Sequence, residues 1–125
     1  MDFDLTEEQR LLQDSLARLL ADRYGFEQRK EYMKAPEGWS REMWSSYAEL
    51  GLLGLPFSEE EGGFGGGPVE TMLVAEQMGR AIALEPWLPT MVLGGGFLRH
   101  GGNDALRAEF APKMVAGELL VAFAH

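Results

Sequence analysis

The stretch ELGLLGLPFSEEEGGFGGGP, residues 49–68, determines how the two halves of this chain are connected. It combines an apolar start, three consecutive acids at Glu59–Glu61, and a run of glycines that ends at Pro68. A stretch of this kind can be a phosphate-binding loop, a flexible linker between domains, or a compact crossing between two helices.

The residue types favour the crossing. Counted from Gly63, the sixth position of the dinucleotide-binding pattern is Pro68 instead of glycine, and no lysine is present for a P-loop. The preceding acids would repel a phosphate. A solvated linker is disfavoured because residues 52–57 are too apolar. We therefore predict a crossing that folds back on helices, with glycines where the backbone turns tightly or needs a positive φ.

Two helices are predicted before the crossing. Thr6 and Gln9 form a capping box for a helix over 6–24, and Ser40 caps a helix over about 40–50. Trp39 and Trp44 occupy the hydrophobic-staple positions of the second helix. Residues 25–38 are mixed and charged, and are predicted to form a connection.

Three helices are predicted after it. Pro68 opens one, a fourth spans about 89–100, and Asn103 caps a fifth that Pro112 should interrupt or kink. One face of the helix after Pro68 is assigned to Val69, Met72, Leu73 and Glu76, with Gly79 and Ile82 extending it. The methionines interpreted as core residues are Met72, Met78, Met91 and Met114.

The end of the sequence, LLVAFA at 119–124, is an apolar run that predicts a buried strand. No other strand is predicted to pair with it, so we expect Leu119, Leu120, Val121 and Phe123 to form an exposed edge where a sheet-containing domain begins. The predicted fold class is all-α: an up-and-down or orthogonal bundle of about five or six helices, with the start of a β-strand at the C-terminus.

Composition excludes several classes of function. The chain has 125 residues, 46% of them hydrophobic, which fits one globular domain. It has no cysteine, so disulfides and thiolate metal sites are excluded, and a cytoplasmic location is expected. The net charge of −9 argues against nucleic acid or an anionic membrane as the main partner. No apolar run approaches the roughly 18 residues of a membrane span.

Motifs for catalysis are sparse. His100 and His125 stand alone, without a second ligand at metal spacing, so no metal site is predicted. The acids Glu59–Glu61 are interpreted as a solvated surface. Gly94–Gly96 interrupt the predicted fourth helix, and each costs about 0.8–1.0 kcal/mol there relative to alanine. Close helix packing or room for a bulky or long ligand would explain them.

Three blocks of the sequence resemble the N-terminal domain of the acyl-CoA dehydrogenase family. They are FDLTEEQRLLQDSLARLLADR, YAELGLLGLPFSEEEGGFGGGPVETMLVAEQMGRAIA and GGNDALRAEFAPKMVAGELLVAFAH, in family order and covering nearly the whole chain. Ala111 stands where leucine is usual, and Gln77 follows Glu76 where a second glutamate is usual. The first block and the crossing look closest to the small-subunit type of pimeloyl-CoA dehydrogenase.

The resemblance implies an FAD-dependent enzyme that oxidises an acyl-CoA thioester between Cα and Cβ and passes electrons to an acceptor. The family's catalytic glutamate lies in a C-terminal bundle, so no catalytic residue is expected here, and Glu49, Glu70, Glu76 and Glu85 are not the base. The resemblance places main-chain cofactor contacts at Phe123 and His125. It places the acyl-binding wall at Pro89, Thr90 and Leu93.

By the same resemblance, residues 1–118 are the helical domain and 119–125 begin a central β-domain. This chain alone is expected to be inactive and not to retain FAD, while the complete protein forms a homo- or hetero-oligomer. The alternatives are a non-catalytic helical interaction module and a non-catalytic subunit of a heteromeric dehydrogenase.

Overall fold

The computed structural model describes residues 2–124, which form six α-helices and no strand. Two short 3-10 turns, Leu52–Gly54 and Glu59–Glu61, lie between the third and fourth helices, and a π-helical segment, Leu88–Gly94, leads directly into the fifth. The predicted all-α class is therefore confirmed. The helices are α1 Glu7–Arg23, α2 Phe26–Met33, α3 Arg41–Glu49, α4 Pro68–Ala81, α5 Gly95–Gly101 and α6 Asp104–Val115.

The core lies where α1 packs along α4 and α3 packs on the first 3-10 turn. Helix α1 contributes the i, i+4 pair Leu16 and Leu20, which a single helical face brings together. The chain after α4 supplies further buried side chains, so both sides of the crossing share one core. The largest fully buried residues are Trp44, Tyr47, Phe57, Leu16, Met43, Leu52, Leu53, Met91 and Met114.

The predicted helix caps are confirmed. Thr6 Oγ1 accepts from the amide of Gln9 at 3.1 Å, and the Gln9 side chain accepts from the Thr6 amide at 3.0 Å. Ser40 Oγ accepts from the Met43 amide at 3.1 Å, and Asn103 Oδ1 accepts from the Leu106 amide at 2.9 Å. The rings of Trp39 and Trp44 meet edge-on with centroids 6.2 Å apart, as a hydrophobic staple requires.

Two local predictions are wrong, and a third is wrong in part. Residues 26–33 form α2 instead of a connection. The prediction missed this helix because it buries no residue, so its sequence shows no apolar periodicity. The buried face of α4 carries Leu73, Val74, Gln77 and Met78, while Val69 and Met72 are exposed. The prediction that Pro112 interrupts or kinks α6 is wrong for the interruption, since the helix continues to Val115, while the kink stays a prediction. The loss of one backbone donor so close to the end of the helix is tolerated.

The stretch from Leu50 to Gly67, hereafter the crossing, is compact as predicted. Its glycine run lies against the first 3-10 turn through main-chain hydrogen bonds, from Phe64 N to Gly54 O at 2.9 Å and from Gly66 N to Leu55 O at 2.6 Å. A Cβ on Gly63 would overlap the carbonyl oxygens of Phe57 and Gly54. The crossing is therefore compact, as predicted, and it requires glycine for close backbone approach.

Residues 118–124, hereafter the terminal segment, form neither helix nor strand. Gly117, at φ +78°, reverses the chain after α6 and the Glu118 amide bonds to Lys113 O at 2.9 Å. The expectation of a fully exposed edge is wrong for Leu119, Leu120 and Val121, which are half-buried against the core. The predicted strand has no partner strand among residues 2–124, so strand pairing stays a prediction for the complete protein.

Replacing Ser40 by alanine should lower the free energy of unfolding by about 0.5–2 kcal/mol, because the Met43 amide at the start of α3 loses its acceptor. Chemical denaturation of both forms measures this change. Ser45→Ala is the matched control, since Ser45 is exposed and its hydroxyl bonds within its own helix to Arg41 O. Equal losses in the two variants would show that Ser40 does not act as a cap.

Replacing Gly63 by alanine should destabilise the chain by more than about 2 kcal/mol, because the added methyl overlaps two carbonyl oxygens and forces the crossing apart. Gly79→Ala is the control, since a Cβ at that position in α4 meets nothing within 4 Å. Removing a helical glycine there should be neutral or stabilising by up to about 1 kcal/mol. A Gly63→Ala variant as stable as the wild type would contradict the close approach.

Candidate functional site

Residues Leu88–Gly101, hereafter the wall segment, form one continuous helical stretch made of the π-helical turn and α5. A π-helix is rare and is frequently found at functional sites. Here it contains Pro89, which lacks a backbone donor, and leads into three glycines that weaken the preference for regular α-geometry. The terminal segment lies against this stretch.

Thr90 joins the wall segment to the terminal segment. Its side chain is 1% exposed. The Thr90 hydroxyl donates to the carbonyl oxygen of Val121 at 3.1 Å and lies 3.4 Å from the Val121 amide nitrogen, whose N–H it accepts. One hydroxyl thus pairs both main-chain groups of a single residue, as a neighbouring strand would.

The three consecutive glycines of the wall segment, Gly94–Gly96, have different surroundings. A Cβ on Gly94 would lie 2.8 Å from Val121 Cγ1, so the terminal segment occupies that space. Gly95 faces Phe57 and Met114 at ordinary contact distance. A Cβ on Gly96 would meet only the Arg99 guanidinium at 3.8 Å, so that side is open. Close packing explains Gly94, and open space explains Gly96.

Exposed apolar side chains of the wall segment and the terminal segment form an apolar surface. The rings of Phe97 and Phe123 stack with centroids 4.8 Å apart and planes 14° apart, while both remain partly exposed, at 59% and 42%. Beside them, Leu93, Gly96, Phe97 and His100 line an open recess of about 420 Å³. Exposed apolar residues grouped around a recess are typical of binding surfaces.

The structure brings the sequence-predicted site residues into one region. Leu93 lies on the recess, Pro89 is half-buried, and Thr90 points inward to the terminal segment. Phe123 stacks on the wall segment, and His125 lies outside the described residues. Sequence reasoning missed Phe97, although its i, i+4 spacing from Leu93 places both on one helical face.

A buried polar cluster surrounds Glu85, three residues before the wall segment. This carboxylate is 7% exposed and its oxygens accept from Tyr24 Oη at 2.9 Å, Tyr47 Oη at 2.9 Å and the Ser40 amide at 3.1 Å. Tyr24 Oη in turn accepts from the Leu84 amide at 2.8 Å. Because Glu85 is buried and accepts from three donors, its role is to stabilise the fold. It does not line the recess.

Comparison with known proteins fits this geometry. The family model described as "Acyl-CoA dehydrogenase, N-terminal domain" matches residues 6–118. This chain belongs to the acyl-CoA dehydrogenase family. The predicted resemblance is therefore confirmed.

Among the family's members, the acyl-CoA dehydrogenase FadE12 of Mycobacterium tuberculosis is 32% identical over 120 residues, covering 95% of this chain and 30% of that protein. The ChsE4–ChsE5 complex, also from Mycobacterium tuberculosis, contains a chain that is 27% identical with a TM-score of 0.88, covering 98% of this chain and 34% of that one. This chain thus spans about a third of the length of these relatives.

A third match shows the fold alone. The acyl-CoA dehydrogenase from Bacillus anthracis, solved in complex with FAD, has a TM-score of 0.81 at 23% identity, covering 94% of this chain and 20% of that one. All three matches extend over nearly the whole of residues 2–124, so the helical arrangement described above is that of the acyl-CoA dehydrogenase N-terminal domain.

This acyl-CoA dehydrogenase domain carries a second concave surface, lined by different residues from those of the recess. Helix α1 and the crossing border an open groove of about 610 Å³, lined by Leu11, Leu50 and Phe64 with Glu8 and Glu59 among its acids. Glu70 lies in the same groove, where it accepts from Gln9 Nε2 at 2.7 Å and from the Gly67 amide at 2.8 Å. The Gln9 bond is the main cause that lowers the pKa of Glu70. It therefore holds the crossing to α1 as a carboxylate.

Within residues 2–124, no group of acids and histidines has the arrangement of a metal site. None of the helices described in this range is long and apolar enough to cross a membrane.

The Glu85 cluster predicts a loss of stability at alkaline pH. Burial, together with the neighbouring carboxylate, raises the pKa of the Tyr47 hydroxyl above its ordinary value of 10.0, and burial also raises the pKa of Tyr24. The unfolded chain releases these protons near pH 10 while the folded chain retains them. The stability they contribute is therefore complete below pH 10 and falls as the pH rises further.

Tyr47→Phe should reduce the steepness of that fall by about 1.4 kcal/mol per pH unit, the effect of one proton. Below the tyrosine pKa it should also destabilise by about 1.5–3 kcal/mol, since Glu85 loses a charge-assisted hydrogen bond. Urea denaturation at a series of pH values below and above 10.0, the ordinary pKa of tyrosine, measures both effects. An unchanged slope in the variant would show that Tyr47 is not titrated by unfolding.

Proposed function

We propose that this chain is the N-terminal domain of an FAD-dependent acyl-CoA dehydrogenase, in which the wall segment forms one side of the acyl-binding pocket. The observation that carries the proposal is the apolar recess at Leu93 and Phe97, with the terminal segment stacked beside it, in a chain that belongs to this family. The recess suits an apolar acyl chain, since it is lined mainly by hydrophobic surface and has no charged lysine or arginine side chain among its lining residues.

The residues of the terminal segment fit a flat cofactor. Ala122, Phe123 and Ala124 are exposed at the end of the described chain, beside the stacked Phe97 ring. Two small residues flanking an aromatic one leave room for a planar ring to approach the main chain. Phe123, with His125 beyond the described residues, would make the main-chain contacts to FAD. Bound FAD supplies the acceptor for the hydride that leaves the acyl Cβ.

In this proposal, the residues of this domain bind the acyl chain and shield it from water. Leu93 and Pro89 contact the acyl chain, the Thr90 hydroxyl holds the terminal segment through Val121, and the wall segment excludes water from that side of the pocket. On the family resemblance, a glutamate of a C-terminal bundle would remove the α proton. Consistent with this, Glu85 is held by buried hydrogen bonds and Glu70 caps α4. We assign residues 1–118 to the helical domain and 119–125 to the start of a central β-domain.

The complete enzyme requires an acyl-CoA substrate and an electron acceptor, and we propose that it is a homo- or hetero-oligomer. The ChsE4–ChsE5 relative, which is a complex of two proteins, supports the heteromeric form. The small-subunit pimeloyl-CoA type and the cytoplasmic location stay predictions. Turnover of pimeloyl-CoA compared with an unsubstituted acyl-CoA of equal length tests the first of these.

A non-catalytic helical module or subunit is the second candidate function. The groove between α1 and the crossing favours it, since Leu11 and Phe64 are exposed there at 68% and 64%. Isolated exposed apolar side chains are common, but a grouped set beside a groove is typical of a surface that contacts another protein.

Flavin content separates the two candidates. The complete protein should purify with FAD bound and reduce it when an acyl-CoA is added, whereas the 125-residue chain should be colourless, because most of the cofactor site lies outside it. The visible spectrum of both preparations measures this. A complete protein that binds no flavin and leaves acyl-CoA unchanged would favour the non-catalytic subunit. Flavin bound by the short chain would show that a complete cofactor site lies within it.

Leu93→Trp tests the acyl wall. In the complete enzyme the larger side chain should raise KM for acyl-CoA by roughly 5- to 150-fold, the effect of about 1–3 kcal/mol of overfilling, with FAD content unchanged. Leu106→Trp is the matched control, because Leu106 is equally exposed, at 41% against 42%, but lies on α6. The same KM in both variants would place the acyl chain elsewhere.

A further inference from the structure

We infer that Thr90 is a positioning residue, whose hydroxyl, together with the missing side chain of Gly94, sets where the terminal segment lies and so where its main chain meets the cofactor. The contact between Thr90 and the terminal segment is seen in the structure. Its effect on the cofactor rests on the proposed function. It assigns Thr90 a role different from that of a residue touching the acyl chain, because its side chain is almost completely buried.

The hydroxyl replaces a strand partner. Extended main chain that is not in a sheet leaves its N–H and C=O without partners, which is costly when they are shielded from water. Thr90 Oγ1 bonds both groups of Val121, at 3.1 Å and 3.4 Å, and does so from a residue 31 positions away. The position of Val121 along the wall segment is therefore fixed by one side-chain oxygen.

Gly94 fixes the distance between the two segments. It is one helical turn beyond Thr90, and its hydrogen atoms occupy the place where any Cβ would lie 2.8 Å from Val121 Cγ1. Above this contact, the Phe97 and Phe123 rings stack at 4.8 Å. The Thr90 hydroxyl, the close contact at Gly94 and the stacked Phe97 ring together hold the wall segment against residues 121–123.

The test uses variants that keep or remove one feature at a time. Thr90→Val keeps the shape and removes the hydroxyl, while Thr90→Ser keeps the hydroxyl. Gly94→Ala adds the methyl that meets Val121. Thr71→Val and Gly79→Ala are matched controls, since the Thr71 hydroxyl bonds within α4 to Gly67 O and Gly79 has open space around it.

Hydrogen exchange in the 125-residue chain tests the contact without any cofactor. Thr90→Val should speed exchange of the Val121 amide by roughly 2- to 10-fold, the effect of one lost hydrogen bond, and Thr90→Ser should restore it. The Ala83 amide, bonded to Met78 O at 2.9 Å, is the internal reference. Equal acceleration at both amides, or none at Val121, would overturn the inference, because the first is general destabilisation and the second shows no contact.

FAD affinity in the complete protein tests the consequence. Thr90→Val and Gly94→Ala should weaken FAD binding by roughly 2- to 10-fold, while Thr90→Ser, Thr71→Val and Gly79→Ala should bind as the wild type does. Unchanged affinity in Thr90→Val, in a wild type that binds FAD, would overturn the positioning role although the contact exists. A wild type that binds no FAD would instead overturn the proposed function, and the exchange result would still decide the contact.

Discussion

The arrangement of this domain depends on one buried carboxylate. Glu85 takes hydrogen bonds from the last turn region of α1 through Tyr24, from the start of α3 through the Ser40 amide, and from the middle of α3 through Tyr47. Burying a carboxylate without a cation is costly, and neutral donors offset that cost only when several converge. Because the donors come from two helices, this compensation requires that α1, α3 and the chain at residue 85 be in place together.

The connection from that carboxylate to the wall segment is short. Glu85 is followed by Pro86, buried Trp87 and then the π-helical turn, so fixing residue 85 fixes where the wall segment begins. At its other end, Arg99 donates to Pro56 O at 2.9 Å and ties α5 to the crossing. The wall segment is thus held at both ends by parts of the fold that do not touch the recess. A binding surface supported in this way keeps its shape without depending on the ligand.

The sequence allowed the helices with strong local signals to be predicted, and the rest depended on tertiary contacts. The caps at Thr6, Ser40 and Asn103 are encoded within four residues, and the structure has them as predicted. Helix α2 lacks apolar periodicity and was missed, since its stability comes from contacts such as Tyr32 against Tyr24, with ring centroids 5.2 Å apart. The site region was placed by family resemblance, but the Thr90 contact joins residues 31 positions apart, which no local pattern reveals.

The glycines show why a sequence pattern can predict a special position without giving its cause. Gly94, Gly95 and Gly96 are identical in sequence and adjacent, and each carries the same penalty of about 1 kcal/mol in a helix. Their causes differ because successive residues of a helix point in different directions, toward the terminal segment, the core and the recess in turn. A run of three glycines therefore serves two packing contacts and one open surface, and only the surrounding chain distinguishes them. The same reasoning applies to the crossing, where Gly63 is required by two carbonyl oxygens while its neighbour Gly62 is required by a φ of +86°.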